Sequence, residues 1–235
     1  MLWFYINLRN NLNFKTMNNI YAIKFCSEGT STISIINKHS FQLDFDISLE
    51  YSYDGIDWSE WDFNSLTINQ GDSLYIRGYN PDGFSYWNED KTYYNFIIEG
   101  DKVSCSGNIM SLINYKKILN FIPCEYCFYG LFKNCTLLTT APDLPATTLA
   151  EWCYSSMFNG CTSLTTAPEL PAKKLVDFCY AYMFKDCSSL KAAPDIPAVE
   201  LAYYCCGSMF DGCNSMFSGC TFLKDNKRPN VFNIN

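Results

Sequence analysis

The sequence predicts a mixed α and β chain with two unlike halves: an antiparallel β-sandwich of immunoglobulin-like size, then a short solenoid of 26-residue repeats. Three observations predict it. From about Ile20 to Ile109 the chain runs in short alternating segments broken by turn residues. Beyond that, Cys127, Cys153, Cys179 and Cys205 recur every 26 residues, as do Cys135, Cys161, Cys187 and Cys213. Third, an Ala-Pro-x-[Leu/Ile]-Pro-Ala string closes each complete unit, at 141–146, 167–172 and 193–198.

Residues 1–16 read as an extension, or as sequence ahead of a true start at Met17. The apolar run Met1–Leu8 has no basic residue before it and no small-residue cleavage site after it, so it makes no convincing signal peptide. The sandwich spans 17–110. Thr32–Ile36, Phe41–Phe45, Ile47–Tyr51, Ser65–Ile68, Ser73–Arg77 and Tyr93–Ile98 read as strands, and Asp54-Gly55 as a hairpin turn, because both residues tolerate positive φ. Six short strands at this spacing suit a sandwich, with the topology left open. Residues 111–126 are a linker and solenoid cap.

The solenoid spans 127–224. At about 100° per residue, Cys153, Tyr154, Met157, Phe158 and Cys161 share one arc, while Ser155, Ser156, Asn159 and Gly160 fall outside it. This predicts an amphipathic helix, repeated over 179–187 with Ala181, Lys185 and Asp186 outward. Leu164-Thr165-Thr166-Ala167 is then short and extended, and two prolines turn the corner. Leu149, Leu175 and Leu201 close each unit inward. A period of 26 lies in the leucine-rich-repeat range, and units of this kind bury their apolar faces only by stacking. Met216-Phe217-Ser218-Gly219-Cys220 restarts the motif only seven residues after its last appearance, and 225–235 is a polar tail.

Composition narrows function. The 235 residues are 48% hydrophobic with a net charge of -7, which argues against nucleic acid as a partner. One histidine, His39, leaves little from which to build His-based metal or catalytic sites. No run approaches the roughly 20 apolar residues that span a bilayer. The sequence therefore nominates no catalytic residue, metal site or cofactor, and no membrane insertion; the oligomeric state is open.

The string Met157-Phe158-Asn159-Gly160-Cys161-Thr162-Ser163-Leu164-Thr165-Thr166 resembles the aromatic-x-x-Cys-x-x-Leu core of BspA-like leucine-rich-repeat surface proteins of gut bacteria and their phages. The resemblance covers about 127–224 and extends more loosely over the front half. The unit here is longer than the usual one, and the Pro-rich corner is an addition to it. The resemblance implies a non-enzymatic adhesion protein that presents a repeat surface to a protein or glycan on a cell surface. Its location would be extracellular or in a virion. The alternatives are a phage tail or head-surface component, whose partners would be other virion proteins, and an accessory to a glycan-processing enzyme.

Candidate binding residues come from repeat positions and from one turn. Trp152, Phe178 and Tyr204 each precede the first cysteine of a unit and form an aromatic column, either gripping a partner or packing between turns. Thr139, Thr165 and Lys191 are the variable positions of the extended step. Ser52-Tyr53-Asp54-Gly55-Ile56-Asp57-Trp58 resembles the Asp-box of sialidases, with its glycine and tryptophan each one place early. It reads as a hairpin turn with a packed Trp, against a sugar-stacking face made of Trp58 and Trp61. Asp143, Glu169 and Asp195 read as a solvated acidic column rather than a cation site. Cys124-Glu125-Tyr126-Cys127 has CxxC spacing without a second pair that would make zinc persuasive.

Thirteen cysteines suggest disulfides at first sight. Eight of them are the two columns, however. On helices the paired cysteines would lie roughly 12 Å apart, and neighbouring helices roughly 8–10 Å apart. The columns should therefore be buried free thiols acting as small core residues. Thiol titration of denatured, unreduced protein should find at least eight free; four or more bridges would refute this.

Overall fold

The computed structural model describes residues 21–38, 47–85, 93–117 and 119–216. Its strands are β1 (Ile23–Ser27), β2 (Ser31–Lys38), β3 (Leu49–Ser52), β4 (Ser59–Glu60), β5 (Leu66–Ile68), β6 (Ser73–Gly78), β7 (Tyr93–Gly100), β8 (Val103–Gly107) and β9 (Leu138–Thr140). They form two sheets, ordered β4-β3-β6-β1-β8-β9 and β5-β2-β7. All pairings are antiparallel except β8 with β9. Period-2 burial turns one face of β1 inward at Ile23, Phe25 and Ser27, and one face of β6 at Leu74, Ile76 and Gly78. Phe25 of the first sheet meets Phe96 of the second edge-on at 5.4 Å, joining the two faces in one core. The expected strand Phe41–Phe45, the extension 1–16 and the segments 217–224 and 225–235 lie outside the described residues.

The expected mixed α and β fold with a leucine-rich-repeat solenoid is not formed. The described residues are sheet and turn, 30% strand and 3% helical. Among the described residues the predicted helices over 153–161 and 179–187 are absent, and Ile109–Leu112 is a short 3-10 turn. The φ angles give the reason. Trp152, Ser156 and Gly160 are at 58°, 56° and 77°, and Phe178, Tyr182 and Asp186 at 56°, 57° and 59°. An α-helix admits no such positions. The segment is instead a run of overlapping tight turns, in which alternate residues donate three places back: Ser155 N to Trp152 O, Met157 N to Tyr154 O and Asn159 N to Ser156 O. The run advances in steps of four, so Cys153, Met157 and Cys161 return to one side as they would on a helix of 3.6. The wheel misplaces Ser155, Ser156 and Ala181, all of which are buried.

The remaining amides pair between units. Tyr154, Ser156, Phe158 and Gly160 donate to the carbonyls of Cys179, Ala181, Met183 and Lys185, always 25 residues on. Phe128, Gly130, Phe132 and Asn134 do the same to Cys153, Ser155, Met157 and Asn159, as do Tyr180, Tyr182, Phe184 and Asp186 to Cys205, Gly207, Met209 and Asp211. Half of each turn run's donors are thus satisfied locally and half by the next unit. This register lines up identical side chains. Phe96, Phe132, Phe158, Phe184 and Phe210 stack with centroids 5.1, 5.5, 5.6 and 5.8 Å apart. Phe128, Tyr154 and Tyr180 form a second file at 5.8 and 6.1 Å.

The described cysteines are free thiols, for a different reason from the one the sequence suggested. Turns joined by backbone hydrogen bonds lie about 4.8 Å apart, which is within disulfide range for Cα atoms. In-register Cβ atoms keep that same separation, however, and do not converge to the ~3.8 Å a bridge needs. The second column's thiols are also engaged. Cys135, Cys161, Cys187 and Cys213 donate to the carbonyls of Phe96, Phe132, Phe158 and Phe184 at 3.1, 3.0, 3.1 and 2.9 Å. Burial pushes these thiols up, Cys213 to about 11 and, in the first column, Cys153 to about 12; burial raises Cys127, Cys161 and Cys179 as well. Unfolded thiols ionise near 8.5. Stability is therefore complete below about pH 8.5 and lost as pH climbs toward 11–12, by up to about 1.4 kcal/mol per thiol per pH unit. Urea unfolding midpoints should fall steeply above about pH 9; a flat profile to about pH 10.5 would contradict this.

Candidate binding surface

The turn register dictates a ridge of aromatic rings. Positions 126, 152, 178 and 204 open successive turn runs, and Tyr126, Trp152, Phe178 and Tyr204 occupy them at φ 56°, 58°, 56° and 50°. Left-handed backbone costs a side chain with Cβ roughly 1–2 kcal/mol. The equivalent positions 134, 160, 186 and 212 carry Asn, Gly, Asp and Gly, which accept it readily. Stacking offsets the cost for the rings: Tyr126–Trp152 5.5 Å and 13°, Trp152–Phe178 3.9 Å and 6°, Phe178–Tyr204 5.4 Å and 42°. All four are half-buried.

Stacked in this way, Trp152 and Phe178 cover one another's faces and turn edges outward. Further tyrosines broaden the ridge. Tyr129 meets Tyr126 and Tyr93 edge-on at 6.0 and 5.3 Å. Tyr203, 59% exposed, meets Phe178 edge-on at 5.3 Å. The Tyr182 hydroxyl donates to that of Tyr204 at 3.4 Å, and this bond pushes Tyr182 up to about 12. Burial raises Tyr93, Tyr126 and Tyr129, so these tyrosines are neutral at physiological pH.

An acidic row borders the ridge. Glu125, Glu151 and Asp177 each immediately precede a ridge residue. Glu125 and Glu151 are exposed and form no ion pair among the described residues. Asp177 accepts the Tyr203 amide at 2.8 Å. The row was readable as a 26-residue period of carboxylates, although the cysteine and proline periods masked it; Tyr129 and Tyr182 carried no such signal.

The other candidates lie elsewhere. Thr139 and Thr165 are half-buried in the ladder that extends β9: their hydroxyls donate to Val103 O at 3.1 Å and Thr139 O at 3.3 Å. Lys191, exposed, continues that ladder through its amide to Thr165 O. Trp61 is in the sandwich core at 4% exposure, against Phe63 and Phe96, with its indole N–H on Asn64 O. Trp58 lies under the Arg77 guanidinium at 3.7 Å, and Arg77 is paired with Glu50 at 2.7 Å. The two tryptophans share no open face. Ser52 and Asp54 cap the intervening turn, Asp54 accepting the amides of Ile56 and Asp57, which lowers its pKa. Asp143, Glu169 and Asp195 line two shallow grooves beside the proline corners, of about 270 and 250 Å³. Among the described residues no three His, Cys, Asp or Glu side chains cluster to hold a metal, and no helix is long and apolar enough to cross a membrane. His39 lies outside the described residues. Compared with known protein families, curated proteins and solved structures, the chain gives no match.

Proposed function

We propose that this is a non-enzymatic binding protein that recognises a protein partner along the aromatic ridge and its acidic border. The observation that carries the reading is the Tyr126–Trp152–Phe178–Tyr204 column, held in left-handed backbone and half open along its length. Interfaces draw their energy from such rigid aromatic anchors. Sugar rings need an uncovered aromatic face, which the central stacked rings do not offer, so protein is favoured over glycan. The unpaired carboxylates of Glu125 and Glu151 suit a segment that combines Lys or Arg with apolar side chains. The resemblance to BspA-like surface proteins supports a partner on a cell surface.

The test is adsorption of the purified protein to a panel of gut-bacterial and epithelial cells. Trp152→Ala with Tyr203→Ala should weaken adsorption about tenfold or more, and Glu125→Gln with Glu151→Gln should reduce its salt dependence. Protease treatment of the cells should abolish adsorption, and periodate treatment should leave it intact. Unchanged adsorption by the aromatic variant, or loss on periodate treatment alone, would overturn the reading.

A further inference from the structure

The third and fourth turn runs depart from their neighbours at two positions, and the departures bring two tyrosines together. In the column Gly130, Ser156, Tyr182 and Ser208, every residue sits at a left-handed corner, and Tyr182 alone carries a large side chain. In the adjacent column Tyr129, Ser155, Ala181 and Gly207, the side chain is lost altogether at Gly207. Gly207 is not left-handed, so its backbone does not call for glycine. The Tyr204 ring does: a Cβ added at 207 would overlap that ring at Cδ1, Cε1 and Cζ. Seated on Gly207, Tyr204 tilts 42° from Phe178, whereas Trp152 and Phe178 lie within 6° of parallel. The tilted ring meets Tyr182, with centroids 5.9 Å apart and hydroxyl oxygens 3.4 Å apart. The Tyr204 hydroxyl also meets Ser208 Oγ at 3.3 Å. Both tyrosines are half-buried and so open in part to solvent. By contrast, Tyr154 and Tyr180 are closed off by burial, and Tyr129 meets Tyr93 and Tyr126 edge-on at 84° and 64°.

We propose that Tyr182 and Tyr204 are an oxidative cross-linking site, joined carbon to carbon as dityrosine by a haem peroxidase acting with hydrogen peroxide. Each tyrosine gives one electron to the oxidised peroxidase and its hydroxyl proton to water. For Tyr182 the proton's path runs along the Tyr204 and Ser208 hydroxyls. The unpaired electron of each phenoxyl radical is shared with the ring carbons ortho to oxygen, and these flank the two hydroxyls that the structure holds together. One ortho carbon of each ring forms the new bond. Each of these carbons then loses its hydrogen as a proton while its ring oxygen regains one, which restores both phenols. The protein loses two hydrogens in all, and one hydrogen peroxide becomes two waters. Fixed proximity supplies the selectivity, because two radicals held in contact on one chain combine before they meet radicals on other molecules. The product ties the third turn run to the fourth, a junction otherwise held by backbone bonds such as Tyr182 N to Gly207 O.

The test treats the dilute full chain with a haem peroxidase and hydrogen peroxide, follows dityrosine fluorescence, and maps the digest by mass spectrometry. The expected product is a single chain whose peptides containing Tyr182 and Tyr204 are joined with the loss of two hydrogens. Tyr182→Phe and Tyr204→Phe, which keep the rings, should each abolish it. Gly207→Ala, which unseats the Tyr204 ring, should lower its yield severalfold; should that variant not fold, the two Phe variants still decide. Tyr53→Phe, at an exposed tyrosine that meets Tyr51 at 5.9 Å outside the ridge, should leave the yield unchanged. No link between Tyr182 and Tyr204, an undiminished yield from folded Gly207→Ala, or a dominant link at another pair would overturn the assignment.

Discussion

The second half of the molecule depends on one hydrogen-bonding constraint: an amide at residue n must find the carbonyl at n + 25. In the turn runs every second N–H points along the stack, and burial would leave it unsatisfied without an acceptor on the following unit. Any insertion within a unit would shift all of these pairs together. The constraint also explains the side-chain files. Once the backbone register is set, Phe falls on Phe, Cys on Cys and ring on ring. The aromatic ridge is a consequence of the same ladder that seats the core.

A stack of this kind needs a first layer, and the sandwich supplies it. Asn95 of β7, 4% exposed, donates its side-chain amide to the carbonyls of Gly130, Leu131 and Lys133 at 3.0, 3.3 and 3.0 Å. The Phe96 amide donates to Leu131 O at 2.8 Å, and its carbonyl accepts the Cys135 thiol. The Phe96 ring begins the phenylalanine file. On the other sheet β8 pairs in parallel with β9, matching Val103 with Leu138, and the ladder runs on through Thr140 and Thr166. The two halves, so different in sequence, are joined by main-chain bonds as well as by a common core.

Much of this was legible in the sequence, and what was misread has a physical cause. The period of 26, the inward Leu149 and Leu175, and the alternation in β2, β6 and β7 follow from burial patterns that any sheet or stack must show. The turn runs were read as helices because repeats of four and of 3.6 are indistinguishable over nine residues such as 153–161. The clue to the contrary was glycine and asparagine at 130, 134, 160 and 212, where the backbone is left-handed. β1 and β8 escaped notice because serine, lysine and cysteine dilute their alternation. The ridge residues were nominated from their spacing alone; that their rings cover one another's faces required coordinates, as did the burial of Trp61.

Native-state hydrogen exchange on the full chain tests the ladder most directly, because the two classes of turn amide can be followed residue by residue. The inter-unit donors at 128, 130, 132, 154, 156, 158, 180, 182 and 184 should be protected together, to the level of β1 and β7. Rapid exchange at these amides while β1 and β7 stay protected would show that the stack does not share the sandwich's cooperative unit, and would contradict the account.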